Sequence, residues 1–413
     1  MLRLLIENTL DREERIMAEW QRVRLGNIIK TNQNIYSTKE SWQFVNYLDT
    51  GNITMNRVKE IRYINTDIDK LPSRARRKVK FNSIIYSTVR PDQLHYGIIK
   101  EQPDNFLIST GFTVIDVDSR KAVPDFIYYI LTRKDVTEHL QAIAEQSVSA
   151  YPSLKPSDIE NLKVLLPDVD TQKKIVFVLS VIDEKIALNT QINNNLLEQV
   201  LAIYRHRFVD SANQLRQTCR ADEYFDISIG KTPPRKEPQW FSTNPQDATW
   251  VSISDMGTCG LYISESSEQL TREAVDRHNV KIVPDNTVLL SFKLTVGRIA
   301  ITDGEMTTNE AIAHFKTNKK EINEYLYCYL KCFNYQTMGS TSSIATAVNS
   351  KIIKGMPFVV PTDEEITEFH GAAAPMFAKI KANQAEISNL IALRDTLLPK
   401  LMSGELDVSD IDL

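Results

Sequence analysis

The fold is decided by a stretch that the chain contains twice. It reads PDVDTQKKIVFVLSVIDEKIALNTQINNNLLEQVLAIYRHRF at Pro167–Phe208 and returns in altered form at Pro361–Gly404. Each copy begins with a candidate helix N-cap, Asp168 in the first and Thr362 in the second. The first copy then has apolar residues largely at spacings of three and four, as a coiled-coil seam requires: Ile175, Leu179, Ile182, Ile186, Leu196, Val200 and Ile203. A shift of 194 residues (383 − 189) places them on the second copy at Phe369, Ala373, Met376, Ile380, Leu390 and Leu397.

A polar residue interrupts both seams at the same place. It is Asn189 in the first copy and Asn383 in the second, and an asparagine at a seam position usually fixes the register of two helices. Two unrelated amphipathic helices are the alternative, but the shared polar position favours an internal duplication. The duplication is imperfect, since Val200 becomes Arg394. The seam residues that we expect to define the pairing are Ile182, Ile186, Asn189, Ile380, Asn383 and Ile387.

Composition is that of an ordinary globular protein. A length of 413 residues predicts two or three domains, and a net charge of −4 shows that any surface for nucleic acid must be local. No apolar run approaches the roughly 20 residues of a membrane span. The N-terminal residues predict a short helix rather than a signal peptide. The four cysteines form no CxxC pair, which disfavours disulfides and a zinc site and favours a reducing, cytoplasmic location.

Two variable blocks precede the two long helices. In the first block we predict strands at Val23–Ile29, Phe44–Leu48, Phe81–Val89 and Phe106–Val117 and a helix at Pro124–His139. The second block repeats this order: Asn286–Ile301 matches Phe81–Val89, Tyr325–Leu330 matches Phe126–Leu131, and Ser350–Pro361 matches Ser157–Pro167. The predicted domains are residues 1–150 and 216–350, with a helical region after each at 151–215 and 351–413.

Three motifs carry a resemblance to a known family. The second block opens with Ile227–Pro234 (ISIGKTPP) and continues with Trp250–Met256 (WVSISDM), while Leu393–Gly404 (LRDTLLPKLMSG) ends the second helix. Together with the duplication, they make the chain resemble the specificity subunit of type I restriction-modification systems. The resemblance covers nearly all of the chain, although the first block lacks a clear Gly-Lys-Thr-Pro opening.

The resemblance implies both a fold and a set of partners. It implies an α+β fold with two mixed α/β target recognition domains, separated by two long helices packed as an antiparallel coiled coil. Each recognition domain would read half of a split site in double-stranded DNA. The helices would act as a spacer and dock two modification subunits that bind S-adenosylmethionine and methylate adenine. Restriction subunits would join them, with ATP and Mg²⁺ on those partners. The chain itself would have no cofactor, no metal and no catalytic residue.

The prolines of the second helix limit the length that we expect it to have. Glu365 completes a capping box with Thr362 at its start. Because proline lacks an N–H donor, we expect Pro375 to kink the helix or mark its start and Pro399 to end it, leaving Met376–Leu398 straight. The first helix, at residues 170–208, has no such interruption and would span about 60 Å at roughly 1.5 Å per residue. In an antiparallel pair we expect Asn189 and Asn383 to face each other.

Local clusters of basic residues are the candidate DNA contacts. Cations neutralise phosphates, and arginine also pairs with guanine in the major groove. The first cluster contains Lys70, Arg74, Arg76, Arg77, Lys78 and Lys80, and the second contains Lys231, Arg235 and Lys236. Three further cations follow central strands of the two blocks: Arg90, Lys293 and Arg298. A charge run is as often a solvated face, so the alternative stays open. Ser87 and Ser291 occupy matching positions, and we expect them to be structural.

Catalytic interpretations have little support. A phosphate-binding loop ending in Gly230-Lys231-Thr232 requires glycine at position 225, where Phe225 stands. The Asn-Pro-Pro-aromatic motif of adenine methyltransferases is missing from the sequence. The alternative from another class is a duplicated scaffold that binds protein or RNA partners. Salt-sensitive binding to duplex DNA distinguishes the two.

Overall fold

A computed structural model describes residues 20–37, 39–147, 152–210, 216–338 and 348–413. The chain divides into two compact units. The first comprises the described residues of Met1–Glu184 with Leu390–Leu413, and the second those of Lys185–Asn389. Each unit therefore contains one variable block and part of each long helix. The helix predicted at the N-terminus lies outside the described residues, and the four domain boundaries stay predictions.

The first unit is built on two four-stranded sheets. Its described strands are β1 (Gln21–Arg24), β2 (Ile29–Thr31), β3 (Phe44–Leu48), β4 (Ile53–Thr54), β5 (Arg57–Val58), β6 (Arg62–Asn65), β7 (Ala75–Arg77), β8 (Ile84–Ser87), β9 (Tyr96–Ile98), β10 (Phe106–Ser109), β11 (Phe112–Val117) and β12 (Lys163–Leu166). The sheet orders are β2-β11-β8-β9 and β6-β3-β10-β7, and β1 pairs with β12 and β4 with β5. Most pairs are antiparallel, but β3 and β10 run parallel.

The second unit repeats this plan. Its described strands are β13 (Thr218–Arg220), β14 (Asp226–Ile229), β15 (Phe241–Ser242), β16 (Ala248–Val251), β17 (Tyr262–Ile263), β18 (Glu268–Leu270), β19 (Val288–Ser291), β20 (Ile299–Thr302), β21 (Thr307–Thr308), β22 (Ile312–Lys316) and β23 (Pro357–Val359). They form sheets β14-β22-β19-β20-β17 and β15-β18-β16-β21, and β13 pairs with β23. Here β16 and β21 are the parallel counterpart of β3 and β10.

Shorter helices complete both units. They are Pro124–Thr132, Lys134–Glu145 and Pro156–Glu160 in the first unit, and Ala221–Tyr224, Asp255–Thr258, Arg272–Arg277, Asn323–Cys332 and Ser350–Lys354 in the second. The matches predicted from the sequence are confirmed, since β8 corresponds to β19 and Pro124–Thr132 to Asn323–Cys332. Several predicted elements are divided in two: a 3₁₀ turn interrupts Val23–Ile29, a turn separates β10 from β11, and Arg133 caps one helix before the next begins.

The two long helices are Val169–Tyr204 and Asp363–Ser403, here called the first and second long helix. A π-helical turn, Arg205–Asp210, follows the first. The predicted capping box is confirmed, because Glu365 N–H donates to Thr362 Oγ1 at 3.1 Å and Thr362 N–H to Glu365 Oε2 at 2.9 Å.

The second long helix neither starts at Pro375 nor ends at Pro399, so both of these expectations are wrong, whereas a kink at Pro375 stays a prediction. The helix runs unbroken through Pro375 and Pro399, so it is not limited to Met376–Leu398. Both prolines are exposed, which leaves the carbonyl groups that lose a partner open to water. Packing on the opposite face holds the helix together on both sides of Pro375, where Phe369 and Phe377 are buried.

Within the second unit the long helices run antiparallel, as the contacts between them show. Asn189 Nδ2 donates to Glu386 Oε2 at 2.9 Å, and further along Arg207 Nη1 donates to Glu368 Oε2 at 2.9 Å. Asn383 Nδ2 donates to Asn193 Oδ1 at 2.8 Å. Each of the two buried asparagines therefore hydrogen-bonds to a different residue of the facing helix. The expectation that they meet each other across the seam is not met. The other seam residues are buried, apart from a half-buried Ile387: Ile182, Ile186 and Ile380.

Each unit buries one side of its variable block against the long helices. In the first unit, Phe126 and Ile127 of helix Pro124–Thr132 share an apolar core with Ile175 and Leu179. In the second, Tyr325 and Leu326 of helix Asn323–Cys332 occupy the matching place, in a core with Val200, Phe369 and Phe377. The helices thus hold one end of each block, and the opposite strand ends remain for other contacts.

Candidate nucleic-acid interface

Strand register in the second unit brings several loops to one end of its sheets. Ile229 at the end of β14 pairs with Ala313 near the start of β22, and Ser291 at the end of β19 pairs with Ile312. In the other sheet, β16 and the parallel β21 end side by side. The loops that meet there comprise residues 230–237, 252–258, 292–298 and 309–311, and we call this end the loop face of the second unit.

The Gly-Lys-Thr-Pro segment begins at this face because glycine fits where no side chain does. A Cβ on Gly230 would lie 2.1 Å from Thr308 Oγ1 and 2.2 Å from Asn309 O. Lys231 N–H donates to Thr308 O at 2.9 Å, and Trp250 Nε1 donates to Lys231 O at 3.2 Å. With its backbone held by these bonds, the Lys231 side chain is exposed, and it forms no ion pair with any described residue.

The Arg235 side chain is held in place by a carboxylate and two aromatic rings of the same unit. It makes two 2.8 Å hydrogen bonds to the carboxylate of Glu268, and its guanidinium lies 4.1 Å from the ring centroid of Phe241 and 4.7 Å from that of Trp250. Such a bidentate, stacked arrangement orders the loop that also carries the exposed Lys236.

Glu310 is a carboxylate that lies among the cations of this face. Burial acts to raise the pKa of Glu310, but the hydrogen bond from Thr232 and the positive charges of Lys293 and Arg235 outweigh it, so the pKa is lowered. The Thr232 hydroxyl donates directly to Glu310 Oε2. Two segments that are far apart in the sequence, residues 231–236 and the loop after β19, therefore lie together around one carboxylate.

Arg298 and Ser291 fix the positions of two neighbouring loops. Arg298 Nη1 donates to Ile253 O at 2.6 Å, and its guanidinium lies where a side chain on Gly257 would be. Ser291 is buried and its hydroxyl donates to Thr295 O at 2.6 Å. Ser87 does the same in the first unit, donating to Val89 O at 2.9 Å. The structural role expected of both serines is confirmed.

The first unit presents the equivalent face. Ser87 at the end of β8 pairs with Phe112 at the start of β11, and Thr88 N–H donates to Gly111 O, just as Phe292 N–H donates to Ala311 O in the second unit. Arg90 lies in the loop after β8. Thr110 N–H donates to Arg74 O at 2.8 Å, which brings Arg74 to the same face.

The rest of the first basic cluster is divided among other surroundings. Lys78 forms an ion pair with Glu40 and lies over the Trp42 ring, and Lys80 lies 3.5 Å from the buried Asp116. Burial lowers the pKa of Arg77. Arg76 is half-buried and Lys70 is exposed. The cluster is thus one run in sequence but not one patch in space, and its contact with DNA stays a prediction.

Glu310 and the exposed Leu294 at the loop face were not found from the sequence. A carboxylate in a positive loop and a leucine after Lys293 look ordinary in sequence, since only the fold shows what surrounds them. His314 is buried between two neighbouring strands of this unit and contacts a hydroxyl group on each side. Its Nδ1 lies 3.0 Å from Ser228 Oγ and its Nε2 2.7 Å from Thr308 Oγ1, and burial lowers its pKa to about 3.

Comparison with known families matches both blocks, most of the first long helix and about half of the second. The model of the type I restriction modification DNA specificity domain matches residues 17–198 and again 216–383. The chain belongs to this family. It is a specificity subunit of a type I restriction-modification system, and the two matches correspond to the two halves of the duplication. The comparisons give no support to the duplicated scaffold.

Relatives match this specificity subunit along most of its length. The HindI specificity subunit of Haemophilus influenzae is 23% identical over 94% of this chain and 100% of its own. The MjaIX specificity subunit of Methanocaldococcus jannaschii is 25% identical over 70% of each chain. The solved S subunit from M. genitalium has a TM-score of 0.52 at 15% identity, covering 92% of this chain and 96% of its own, which shows a shared fold. None of the described helices combines the length and apolar character needed to cross a membrane.

Proposed function

We propose that this specificity subunit recognises a split DNA target, with one half read by the loop face of each unit. The observation that carries the proposal is the repeated topology, in which equivalent strands end in equivalent loops. Each loop face presents exposed cations on an ordered backbone, including Arg74 and Arg90 in the first unit and Lys231, Lys236 and Lys293 in the second. Such groups suit contact with phosphates and base edges.

The long helices are proposed to act as the spacer and as the docking frame. They have 36 and 41 residues, or about 54 and 62 Å at roughly 1.5 Å per residue. Half-sites one DNA turn apart are separated by about 34 Å, which either helix is long enough to set. Two modification subunits that carry S-adenosylmethionine would dock on this frame, and restriction subunits that use ATP and Mg²⁺ would join them in the cytoplasm.

The chain itself is proposed to be non-catalytic, so that methylation and cleavage reside in its partners. Family membership supports this, together with a sequence that lacks the adenine methyltransferase motif. Purified alone and supplied with S-adenosylmethionine, ATP and Mg²⁺, the subunit should neither methylate nor cut duplex DNA. Either activity in the isolated chain would overturn this part of the proposal.

The test of split recognition is to co-express the chain with its modification subunit and map methylated adenines in genomic DNA. We expect a two-part motif with a fixed gap. Replacing residues 20–145 with the matching block of a relative should change one half of the motif and leave the other half and the gap intact. A complex that assembles but methylates no two-part motif would contradict the proposal.

A further inference from the structure

Leu294 is an apolar side chain displayed at the tip of the loop after β19. It is 100% exposed, and its φ of +62° lies in the left-handed region, which leucine rarely adopts. Thr295 N–H donates to Lys293 O at 2.6 Å and closes a three-residue γ-turn around it. The positive-φ form of this turn is rare and strained. The backbone thus holds leucine where asparagine or glycine would be more stable.

The loop is anchored firmly on both sides of Leu294. The buried Ser291 hydroxyl donates to Thr295 O and accepts from Arg298 N–H at 3.0 Å. Gly297, at φ +91°, lies against the Tyr335 ring, which a Cβ would approach to 3.1 Å. Because both ends are fixed, the exposure of Leu294 results from an ordered loop, and strain that an ordered fold maintains is concentrated at functional positions.

The surroundings of the loop are those of a nucleic-acid contact. Lys293 precedes Leu294 and acts on Glu310 together with Arg235, so the leucine projects from the cationic loop face. In the first unit, the loop after β8 has the same arrangement. Arg90 has a φ of +48° and follows Val89, an apolar side chain that is 38% exposed. Both units therefore place an exposed apolar residue beside a cation, with a left-handed residue in the loop that follows the buried serine.

We propose that the Leu294 side chain packs against a base of the half-site read by the second unit and determines the base preferred at that position. The inference rests on the proposed function and adds to it a residue that reads sequence. A leucine has no hydrogen-bonding group, so it distinguishes bases by apolar contact, such as with the thymine methyl group, and by shape. The neighbouring Lys293 supplies the phosphate contact that holds the loop against the duplex.

The test compares the wild-type chain with L294N, each in complex with the modification subunit. Asparagine tolerates the left-handed conformation and should leave thermal stability unchanged or raised. Binding is measured to duplexes of the mapped target with each base pair substituted in turn. We expect L294N to lose about tenfold of discrimination at one position of one half-site, as for a single base contact. The other half-site serves as an internal control.

The matched control is I282N, which replaces an exposed apolar side chain of the same unit outside this loop. It should retain wild-type discrimination at every position. Wild-type discrimination in L294N, or an equal loss at both half-sites, would overturn the inference. L294G, which also relieves the backbone strain, decides the matter if L294N fails to assemble. If the wild-type complex itself shows no two-part motif, the proposed function fails instead, which is a distinct result.

Discussion

Arg394 of the second long helix donates a 3.1 Å hydrogen bond from Nη1 to Asp183 Oδ1 of the first, inside the first unit. The Tyr129 hydroxyl donates to Asp183 Oδ2 at 2.8 Å. The positions that the duplication relates to this trio are all buried in the apolar core of the second unit: Phe377, Val200 and Cys328. The same junction between block and helices is therefore polar in one unit and apolar in the other.

A cavity of about 1030 Å³ in the first unit explains how the polar trio is tolerated. Tyr129, Asp183 and Arg394 all contribute to its lining. The side chains of the ion pair remain 34% and 19% exposed, for Asp183 and Arg394 respectively. Water can therefore complete the hydrogen bonding of both charges, which an enclosed apolar core would not allow.

The first prediction is that the ion pair of this trio, Asp183 with Arg394, can be replaced by its apolar counterparts, Phe377 and Val200. The R394V variant leaves Asp183 without its cationic partner and should lower the free energy of unfolding by about 1–2 kcal/mol. The double variant D183F/R394V copies the second unit at these two positions and should recover most of that loss, because removing both charges is less harmful than removing one. Urea denaturation of the four members of the cycle measures the coupling.

A control for this cycle is R120V, which removes the arginine of an ion pair with Asp118 in the same unit. Because the Arg120 side chain is 87% exposed, the change should have little effect on the free energy of unfolding. If the double variant is destabilised by the sum of the two single changes, Asp183 and Arg394 are not coupled, and the prediction is wrong.

The two long helices and the duplicated plan of the blocks were predictable from the sequence, because the internal repeat reveals both. The apolar spacing predicted both long helices, and the matched blocks predicted the equivalence of β8 with β19. The expectation that Pro375 starts the helix and Pro399 ends it is wrong, because tertiary packing, as of Phe369 and Phe377, outweighs the local effect of a proline. The partners of Asn189 and Asn383 were also missed, since the seam pattern does not fix which residues of the facing helix lie opposite.

The loop face was predictable only in part. The Gly230–Thr232 motif and Lys293 were identified, and strand register then places them together. In contrast, the run from Lys70 to Lys80 is one cluster in sequence, whereas β7 and the turns around it separate Arg74 from Lys78 and Lys80. Neighbours in sequence diverge because successive side chains of a strand point to opposite sides. Leu294 could not be found, since its exposure and its φ angle are properties of the fold.

The second prediction concerns the buried asparagines of the seam. Asn383 is fully buried, and no described residue donates to its Oδ1, so it contributes less stability than an apolar residue would. The double variant N189L/N383L should therefore melt a few degrees higher. The long helices of this variant should also pair less specifically, since polar seam residues fix the register of paired helices and the number of helices that associate. Differential scanning calorimetry and light scattering measure the two effects.

N195L is the matched control for the seam variant, because Asn195 is exposed on the same helix. It should change neither the melting temperature nor the molar mass in solution. A higher melting temperature for N189L/N383L with the wild-type mass and normal complex assembly would show that the asparagines are not needed for register.

The third prediction separates the two kinds of cation at the loop face of the second unit. K231A and K236A each remove an exposed charge and should weaken DNA binding similarly for all sequences. The slope of log K against log salt should fall by about one for each lysine. R235K keeps the charge but loses the bidentate bond to Glu268 and the stacking, so it should reduce stability, with little change in the slope.

Binding of the assembled complex to its target at several salt concentrations tests this prediction. K281A, which removes an exposed lysine of the same unit outside the loop face, should leave the slope unchanged. An unchanged slope in both K231A and K236A would mean that these lysines form a solvated surface and do not contact phosphates.

The last prediction is a pH dependence caused by His314. Burial lowers the pKa of His314 from 6.5 to about 3, and the neutral ring bonds Ser228 and Thr308. Between pH 6.5 and 3 the unfolded chain binds a proton that the folded chain does not. The stability that the buried, neutral His314 contributes is therefore complete above pH 6.5. It is lost as pH falls from 6.5 towards 3, by up to about 1.4 kcal/mol per pH unit. H314Q should be less stable at pH 7.5 but lose less stability on acidification.

The urea midpoint at pH 7.5, 6.5, 5.5 and 5.0 measures this difference, followed by tryptophan fluorescence, to which Trp240 and Trp250 contribute from the unit that contains His314. H139Q replaces an exposed histidine in the first unit and should keep the wild-type slope. Because other groups titrate in this range, the decisive quantity is the difference in slope between H314Q and the wild type. Equal slopes would show that His314 accepts a proton in the folded chain, which requires water to reach the contact between β14 and β22.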